Sequence, residues 1–419
     1  MKINKIFLNI ILFFSVISTS AFCKTTQHQW YNHKTFILDH NNDNNSFPLP
    51  QEVENISWAY HSLLNTSNLF DTTNLKNTKY IAKEFDKLGA KEIVIETEDG
   101  IKSYASYFDR GNENIIIVGP GFTNVKEKMA PFIHMFWDKN YDFLIFNYRG
   151  HGKNPIKKSR LNPKNWKPQP LVSLFKHLID DVDFSQVRLG KEEEKDIFAA
   201  VDFARNTKNY KKVIGLGICY SSLVFAKAQS IREIQNKPLF SHLILDGCWH
   251  SLDAFREKLK EDLSLVFNPQ RGGAPQYIKD LCKQAWFIKI LQGTIEYLTT
   301  IKVEGLHVTE YLRKISIPKL FFYGKDDLTI ERDQFEEIWK AAKSPKIGII
   351  TSNEHVWNHL KQKELFKTIC ELFIETESIE ETLSTLKSPN VVDKFIHSQI
   401  RNKSKIASTQ NIRRSRRQK

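Results

Sequence analysis

The residues around Cys219 combine a strand, a tight turn and a helix within one short segment. The stretch from Lys212 to Ile218 is short and apolar, as in a buried strand, and Leu223 to Gln229 continues as a helix. Gly217 and Ser221 stand two positions before and after the cysteine. Small residues are needed there when a turn strains its central residue and pushes that side chain out above the sheet. The pattern predicts a nucleophile elbow with Cys219 at its apex.

Short apolar strands alternate with helical stretches over most of the chain. The predicted strands are Glu92 to Glu98, Lys102 to Phe108, Ile115 to Val118, Phe143 to Phe146, Val213 to Leu216, Leu239 to Leu245, Leu320 to Tyr323 and Ile347 to Ile350. Glu192 to Ala204 has helical spacing, with Ile197, Ala200, Val201 and Ala204 on one face. This alternation predicts an α/β fold with a mostly parallel central sheet that helices cover on both faces.

Residues 250–312 interrupt the alternation. They lie between the sixth and the seventh predicted strand, and their pattern is helical. An interval of about seventy residues is too long for a plain loop. We therefore predict a helical cap insertion at about 250–312, over the active site.

The first 23 residues have the pattern of an export signal. Lys2 and Lys5 precede a mainly apolar run from Ile6 to Ile17, and small residues near Ala21 offer a cleavage site. The apolar run is shorter than the ~20 residues that a membrane-spanning helix needs. We predict a signal peptide at residues 1–23 and export to the periplasm or the exterior. An uncleaved membrane anchor is the alternative.

Both ends of the remaining chain carry weak structural signals. Residues 24–90 are predicted to form an N-terminal extension, and residues 376–419 a basic, partly disordered tail. The formal net charge is +13, and the tail suits a weak contact with an anionic membrane. Phe395 is the only aromatic residue among its positive charges, so we expect no specific nucleic-acid binding.

The cysteines indicate neither a zinc site nor a disulfide framework. The chain has five of them, Cys23, Cys219, Cys248, Cys282 and Cys370, and they show no CxxC pair. The sequence also has no metal, nucleotide or flavin motif, so we expect no cofactor. Cys248 follows the strand that should lie next to that of Cys219. A disulfide between them in an oxidising compartment is one hypothesis, and a buried small apolar side chain is the other.

Four segments with chemical signatures follow predicted strands. They are Val118 to Phe122, Asn147 to Gly152, the elbow at Cys219, and Gly324 to Asp327 together with His355. Together they resemble the α/β-hydrolase superfamily, over about residues 91–375. The Tyr-Arg-Gly-His-Gly segment looks like its serine aminopeptidase, lysophospholipase and acyl-hydrolase branch. A cysteine stands where that family carries its nucleophilic serine.

The resemblance implies roles for three residues, which occur in the family's order of nucleophile, acid and histidine. Cys219 would attack a carbonyl carbon, and His355 would take its proton and later protonate the leaving group. Asp327 would hold the imidazole tautomer and stabilise the imidazolium. A neighbouring imidazole and a helix N-terminus both lower the pKa of a thiol from about 8.5. The backbone N–H groups of Tyr220 and Phe122 would form the oxyanion hole.

Neighbouring residues offer alternatives for each role. Asp326 is the alternative acid, and His359, which begins a helical stretch, is the alternative histidine. Ser221 and Ser222 are alternative nucleophiles, although each would lie past the apex of the turn.

Two positions depart from the family's pattern. Pro120 stands where the family's His-Gly-Phe turn has histidine, and Ser221 stands where its elbow mostly has glycine. Arg149 and His151 belong to a segment that is structural in this branch, so we expect them to support the fold.

The resemblance implies hydrolysis of an ester, thioester or related acyl bond through a Cys-His-Asp triad. The expected substrate is a small-molecule or lipid-like acyl compound, and the apolar cap residues Trp286, Phe287 and Ile290 favour a hydrophobic one. The alternative is a catalytically inactive relative that serves in binding. The retained acid and histidine favour the enzyme, whereas the two departures favour the binding protein.

Overall fold

The computed structural model describes residues 36–39, 51–52, 85–122, 124–152, 186–261, 286, 289, 292–293, 296, 301–327, 329–351, 353, 355–356 and 358–387. The predicted signal peptide, most of the predicted extension and the chain beyond residue 387 lie outside these residues. So does most of the predicted cap, including Phe287 and Ile290, while Trp286 is 44% exposed.

Ten strands form one sheet in the described part of the chain. They are β1 (Phe36–Asp39), β2 (Gln51–Glu52), β3 (Lys91–Glu96), β4 (Lys102–Phe108), β5 (Asn114–Gly119), β6 (Asp142–Phe146), β7 (Lys212–Ile218), β8 (His242–Asp246), β9 (Lys319–Gly324) and β10 (Lys346–Thr351). Their order is β2-β1-β10-β9-β8-β7-β5-β6-β4-β3. Strands β5 to β10 pair in parallel, and the strands at both edges pair antiparallel. The predicted mostly parallel sheet is confirmed.

The parallel register brings several strand ends to one edge of the sheet. Gly119 at the end of β5 is paired with Gly217 in β7, and Ile218 is paired with Asp246 at the end of β8. The strand order changes direction between β5 and β7, because β6 lies beyond β5 and β8 lies beyond β7. Loops at such a switch point leave a crevice outside the carboxyl ends of the strands, where ligands bind in open α/β sheets.

Helices cover both faces of this sheet. They are α1 (Ala130–Met135), α2 (Glu194–Thr207), α3 (Tyr220–Ile234), α4 (Leu252–Glu261), α5 (Val308–Leu312), α6 (Arg332–Ala341), α7 (Asn358–Lys361), α8 (Lys363–Glu375) and α9 (Ile379–Lys387). Helices α2, α3, α5 and α6 contribute to one apolar core, and α1, α8 and α9 contribute to the other. The four positions predicted to form the apolar face of α2 are fully buried, which confirms that prediction.

The central strands carry apolar residues at consecutive positions because the sheet is buried on both sides. In β5, Ile115 and Ile117 point into the core under α2 and α3, whereas Ile116 and Val118 point into the core under α1 and α8. All four side chains are at most 1% exposed.

Some elements occur in segments with weak sequence signals. Strand β1 lies inside the predicted N-terminal extension and pairs antiparallel with β10, with Phe36 opposite Ile350. Helix α9 lies inside the segment predicted as a tail, and it buries Leu383 and Leu386 because its apolar residues repeat at helical spacing. Among the described residues, none of the helices has the length and apolar character needed to cross a membrane.

Candidate active site

Cys219 lies at the junction between β7 and α3, with φ 57° and ψ −119°. This left-handed conformation is unfavourable for a residue with a side chain, and it persists only where the surroundings impose it. The backbone N–H of Cys219 donates to the carbonyl oxygen of Asp246 at 2.7 Å, which ties the turn to the end of β8. Cys219 is partly exposed at the sheet edge. The structure therefore has the strained strand-to-helix turn that the spacing around Cys219 predicts.

Glycine in β7 allows the helix to approach the strand closely. A Cβ atom on Gly217 would lie 2.9 Å from the backbone nitrogen of Ser222, which is closer than real Cβ contacts allow. The Ser222 hydroxyl is buried and donates to the Gly217 carbonyl at 2.7 Å. This hydroxyl therefore stabilises the turn from inside the fold and is not exposed as a nucleophile.

Ser221 occupies space that a second glycine leaves free. A Cβ atom on Gly119 would lie 2.7 Å from the Ser221 hydroxyl oxygen. That hydroxyl is fully buried, donates to the carbonyl oxygen of Pro120, and lies 2.9 Å from the hydroxyl of Tyr148. The departure from glycine at position 221 is thus accommodated by glycine at the end of β5. Ser221 links the elbow to the Pro120 turn and is not exposed as a nucleophile.

The carboxylate of Asp327 and the imidazole of His355 are directly bonded. His355 Nδ1 lies 2.7 Å from Asp327 Oδ2. Asp327 Oδ1 accepts the backbone N–H groups of Thr329 at 2.7 Å and Ile330 at 2.9 Å, so both carboxylate oxygens are engaged. Asp327 and His355 are each 6% exposed, whereas Asp326 is exposed to solvent. Of the two adjacent aspartates, Asp327 is the one that contacts the imidazole.

The surroundings of His355 favour its protonated form. Burial by itself lowers the pKa of the imidazole, but the charges of Asp327 and the neighbouring Cys219 sulfur outweigh it and raise the pKa well above its ordinary value. Gly247 makes room for the ring, since a Cβ atom there would lie 2.9 Å from His355 Cε1. The structure brings Cys219, His355 and Asp327 together at the end of β7.

His359 lies elsewhere. Its ring packs on Phe132 of α1 with a centroid distance of 4.3 Å, and burial lowers its pKa to about 3. It does not contact the Asp327 carboxylate, which is bonded to His355.

The two segments expected to form the oxyanion hole flank Cys219. A Cβ atom on Gly121 would lie 3.6 Å from Cys219 Cβ, so the turn that carries Phe122 is in contact with the elbow. Tyr220 is the first residue of α3, and a backbone N–H at that position has no partner in the helical ladder. The Phe122 and Tyr220 rings pack at 5.4 Å. Pro120 leaves the N–H of Phe122 in place.

The Tyr-Arg-Gly-His-Gly segment is built into the fold. The guanidinium of Arg149 bonds the carboxylates of Asp196 at 3.2 Å, Asp99 at 2.9 Å and Glu192 at 3.3 Å. His151 is buried, its Nδ1 lies 3.0 Å from the Arg149 carbonyl oxygen, and burial lowers its pKa to about 4. The contacts of Arg149 and His151 are those of supporting residues, as the sequence predicts.

One residue of the site was not predicted. The indole Nε1 of Trp249 donates a hydrogen bond to Cys219 Sγ at 2.9 Å. Trp249 comes three residues after the end of β8, whose carboxyl end lies beside that of β7. Its position after a parallel strand was therefore the signal that could have identified it.

The rings of Phe122, Tyr220, Trp249 and Phe255 form an aromatic cluster over the elbow. Trp249 and Phe255 stack at 4.5 Å, and Phe122 lies 5.7 Å from Trp249 and 5.8 Å from Phe255. A cavity of about 10 Å³ borders Trp249, Phe255 and Ile330, which is the room of roughly one water molecule.

The remaining cysteine hypothesis concerns Cys248. Cys219, Cys248 and Cys370 are all free thiols in the structure. Cys248 is buried, its Sγ lies 3.7 Å from the Trp249 carbonyl oxygen, and burial raises its pKa.

Within the described residues, no cluster of three or more His, Cys, Asp or Glu side chains is placed to hold a metal ion.

No family model matches the chain, and no curated protein does so either. Solved structures do resemble it. An esterase from Pyrococcus furiosus is 18% identical with a TM-score of 0.50, over 69% of this chain and 92% of that chain. An alpha/beta hydrolase from Penicillium is 13% identical with a TM-score of 0.47, over 68% and 97%. An esterase from Exiguobacterium antarcticum is 15% identical with a TM-score of 0.45, over 68% and 100%. The likeness to the first, together with the sheet, shows the α/β-hydrolase fold.

Proposed function

We propose that this chain is a hydrolase of ester, thioester or related acyl bonds that acts through Cys219, His355 and Asp327. The observation that carries the proposal is the 2.7 Å bond between His355 Nδ1 and Asp327 Oδ2, with the strained elbow cysteine beside the same imidazole. A buried charged pair has a desolvation cost that its attraction only partly offsets. Its place next to a strained cysteine at a switch point therefore supports a chemical role.

The first half of the reaction forms an acyl-enzyme. The Cys219 sulfur, having given its proton to His355, attacks the carbonyl carbon and forms a C–S bond. The carbonyl oxygen becomes an oxyanion, which the backbone N–H groups of Tyr220 and Phe122 stabilise. His355 then donates its proton to the departing alcohol or thiol as the bond to the leaving group breaks.

The second half releases the acid. His355 takes a proton from a water molecule, whose oxygen attacks the acyl carbon, and the C–S bond breaks as Cys219 leaves. Asp327 holds the imidazole through Nδ1 and stabilises its charge in both halves. A thiolate leaves more readily than an alkoxide, so hydrolysis of the acyl-enzyme is assisted by the identity of the nucleophile.

The aromatic cluster favours an apolar acyl group. Phe122, Tyr220, Trp249 and Phe255 present ring surface next to Cys219, and apolar walls with few polar groups are typical of small-molecule sites. We propose a hydrophobic, lipid-like acyl substrate.

Further parts of the proposal rest on the sequence. The Tyr-Arg-Gly-His-Gly segment supports the serine aminopeptidase and lysophospholipase-like branch. Residues 1–23 support export, and the basic tail supports a weak contact with anionic membrane. Deleting the residues after Lys405 should then remove binding to anionic liposomes at low salt, while the full chain loses it at high salt.

Hydrolysis assays test the enzymatic proposal. The full chain is assayed with p-nitrophenyl esters of short and long acyl groups and with acyl-CoA thioesters, next to Cys219→Ala. We expect activity that the variant lacks and an acyl adduct on the Cys219 peptide in mass spectrometry. Activity that persists in Cys219→Ala would remove this thiol from the mechanism.

Binding without turnover is the second candidate function. The observation that favours it is the departure from the hydrolase pattern at Pro120 and Ser221, two residues that are bonded to each other beside Cys219. An acyl compound that binds the wild type in calorimetry, with no adduct on Cys219 and no product, would support this candidate against the enzyme.

A further inference from the structure

We propose that the indole N–H of Trp249 is a resident hydrogen-bond donor that stabilises the thiolate of Cys219. The inference deepens the proposed function, on which it rests, by adding a residue that touches the reacting atom. Trp249 Nε1 lies 2.9 Å from Cys219 Sγ. An indole nitrogen is a donor only, so the sulfur must accept. Hydrogen bonds to an ionised acceptor are stronger than those to a neutral one, so this bond favours the anion.

The indole is held in place by packing against neighbouring aromatic rings. Trp249 is 4% exposed, stacks on Phe255 with an interplanar angle of 23°, and packs edge-on against Tyr220 at 5.6 Å. Its backbone follows the end of β8, where the Asp246 carbonyl accepts the N–H of Cys219 at 2.7 Å. The donor and the sulfur are therefore fixed by the same short connection. A donor oriented before the reaction stabilises charge without reorganisation.

Trp249 differs from the other groups around the Cys219 sulfur because its hydrogen bond does not depend on pH. His355 lies in the loop after β10, beside the sulfur, and its Nδ1 atom is bonded to Asp327. Cys248, next to Trp249 in the chain, has its pKa raised by burial and stays neutral. The start of α3 presents the positive end of its dipole. Among these, His355 titrates, whereas the indole donates at every pH. Its contribution therefore persists when the imidazole is neutral.

The alkylation rate of Cys219 as a function of pH tests the inference. Full-length protein is treated with iodoacetamide from about pH 5 to about pH 10, a range that spans thiol titration. The rate is followed on the Cys219 peptide by mass spectrometry, so the other cysteines do not contribute. Trp249→Phe keeps an aromatic ring and removes the N–H. We expect its profile to move to higher pH by about one unit, which equals about a tenfold loss of thiolate below the midpoint.

Trp339→Phe is the matched control. It makes the same exchange at a buried tryptophan of α6 that packs on Phe321 of β9, so its profile should stay within a few tenths of a pH unit of the wild type. A Trp249→Phe profile that coincides with the wild type overturns the inference. An equal shift in Trp339→Phe overturns it as well, because the loss of a buried indole anywhere in the core would then account for the effect.

A second measurement needs no change to Trp249. If the indole bonds the thiolate, tryptophan fluorescence of the wild type should change with the same pH midpoint as the alkylation rate, and the change should be absent in Cys219→Ala. Identical fluorescence profiles for the two proteins would contradict the bond, even where Trp249→Phe does not fold.

Neither measurement requires turnover. A shifted alkylation profile supports the thiolate donor whether or not any ester is hydrolysed. An unshifted profile rejects the donor even where Cys219→Ala abolishes hydrolysis, and the proposed function then stands without Trp249.

Discussion

Asp327 and His355 are 28 residues apart in the chain, yet Oδ2 of the first lies 2.7 Å from Nδ1 of the second. The distance is closed by β9 and β10, which run parallel and end with Gly324 opposite Thr351. The loops that follow both strands therefore leave the sheet at the same level. Helix α6 connects β9 to β10. The acid and the histidine therefore meet at the ends of the two strands of one strand–helix–strand unit.

Asp327→Asn tests the charge of this pair. The amide keeps the shape of the carboxylate and loses its negative charge, so the pKa of His355 should fall from its raised value and its tautomer should be less defined. We expect kcat/KM to fall by about 10²- to 10⁴-fold. The pH profile of hydrolysis measures the effect, and Asp326→Asn, on the exposed neighbour, is the control. Equal losses in both variants would contradict the role of Asp327.

His355→Asn and His359→Phe separate the two histidines. The first variant removes the imidazole beside Cys219, and we expect a loss of at least about 10³-fold in kcat/KM. The second replaces a ring that stacks on Phe132 with another ring, so activity should stay within a few-fold of the wild type. Steady-state kinetics, with circular dichroism to verify folding, give both values. A larger loss in His359→Phe than in His355→Asn would overturn the assignment.

Asp246→Asn should make the protein more stable at neutral and alkaline pH. Burial raises the pKa of Asp246 to about 7, while Asn358 and His355 partly offset the effect and Asp327 adds to it. A carboxyl with a raised pKa binds its proton more tightly in the folded state, so its contribution is full below about pH 4 and declines until pH passes 7. The amide does not titrate, which removes this decline.

We expect Asp246→Asn to gain on the order of 1–3 kcal/mol relative to the wild type between pH 4 and pH 8. Denaturant unfolding at both pH values measures the gain. Parallel pH dependence in the two proteins would show that Asp246 is not the group that titrates.

Gly119→Ala and Ser221→Gly should be coupled. The added Cβ atom would lie 2.7 Å from the Ser221 hydroxyl oxygen and 2.9 Å from Ser221 Cβ, so Gly119→Ala should destabilise by about 1–3 kcal/mol. Combining it with Ser221→Gly removes the serine contacts. We expect the double variant to be less destabilised than the sum of the single variants by about 1 kcal/mol.

Chemical unfolding of the four proteins in a double-mutant cycle provides this coupling. Additive effects would mean that Phe225, whose ring end lies 2.9 Å from the same Cβ position, causes the whole cost.

Patterns within short segments were enough to predict the central strands and the position of Cys219. The apolar runs of β5 to β10 and the G-x-C-x-S spacing at Cys219 are such patterns, since each depends only on neighbouring residues. The choice of His355 over His359 relied on the loop before His355. In the structure, His355 is the histidine that is bonded to Asp327. The role of the Ser221 hydroxyl could not be predicted, because its acceptor Pro120 and the space at Gly119 belong to a segment about 100 positions earlier in the chain.

Trp249 shows what local patterns leave out. Its indole reaches Cys219 from 30 positions further along the chain, and its neighbours in the sequence carry no motif. Only the register of β7 against β8 brings the two side chains together. Strand β1 was missed for a related reason, because its four residues are stabilised by pairing with β10 rather than by a pattern of their own.

Because β1 pairs with β10, an N-terminal segment of the chain stabilises a strand more than 300 residues further along. Phe36 to Asp39 cover the outer side of the strand that leads into the His355 loop. A shortened protein that starts at Lys91 would leave the backbone groups of Ile347 to Ile350 open to pairing with other molecules, and exposed edges of this kind promote aggregation. A version trimmed to the catalytic segments should therefore be less soluble than the longer chain.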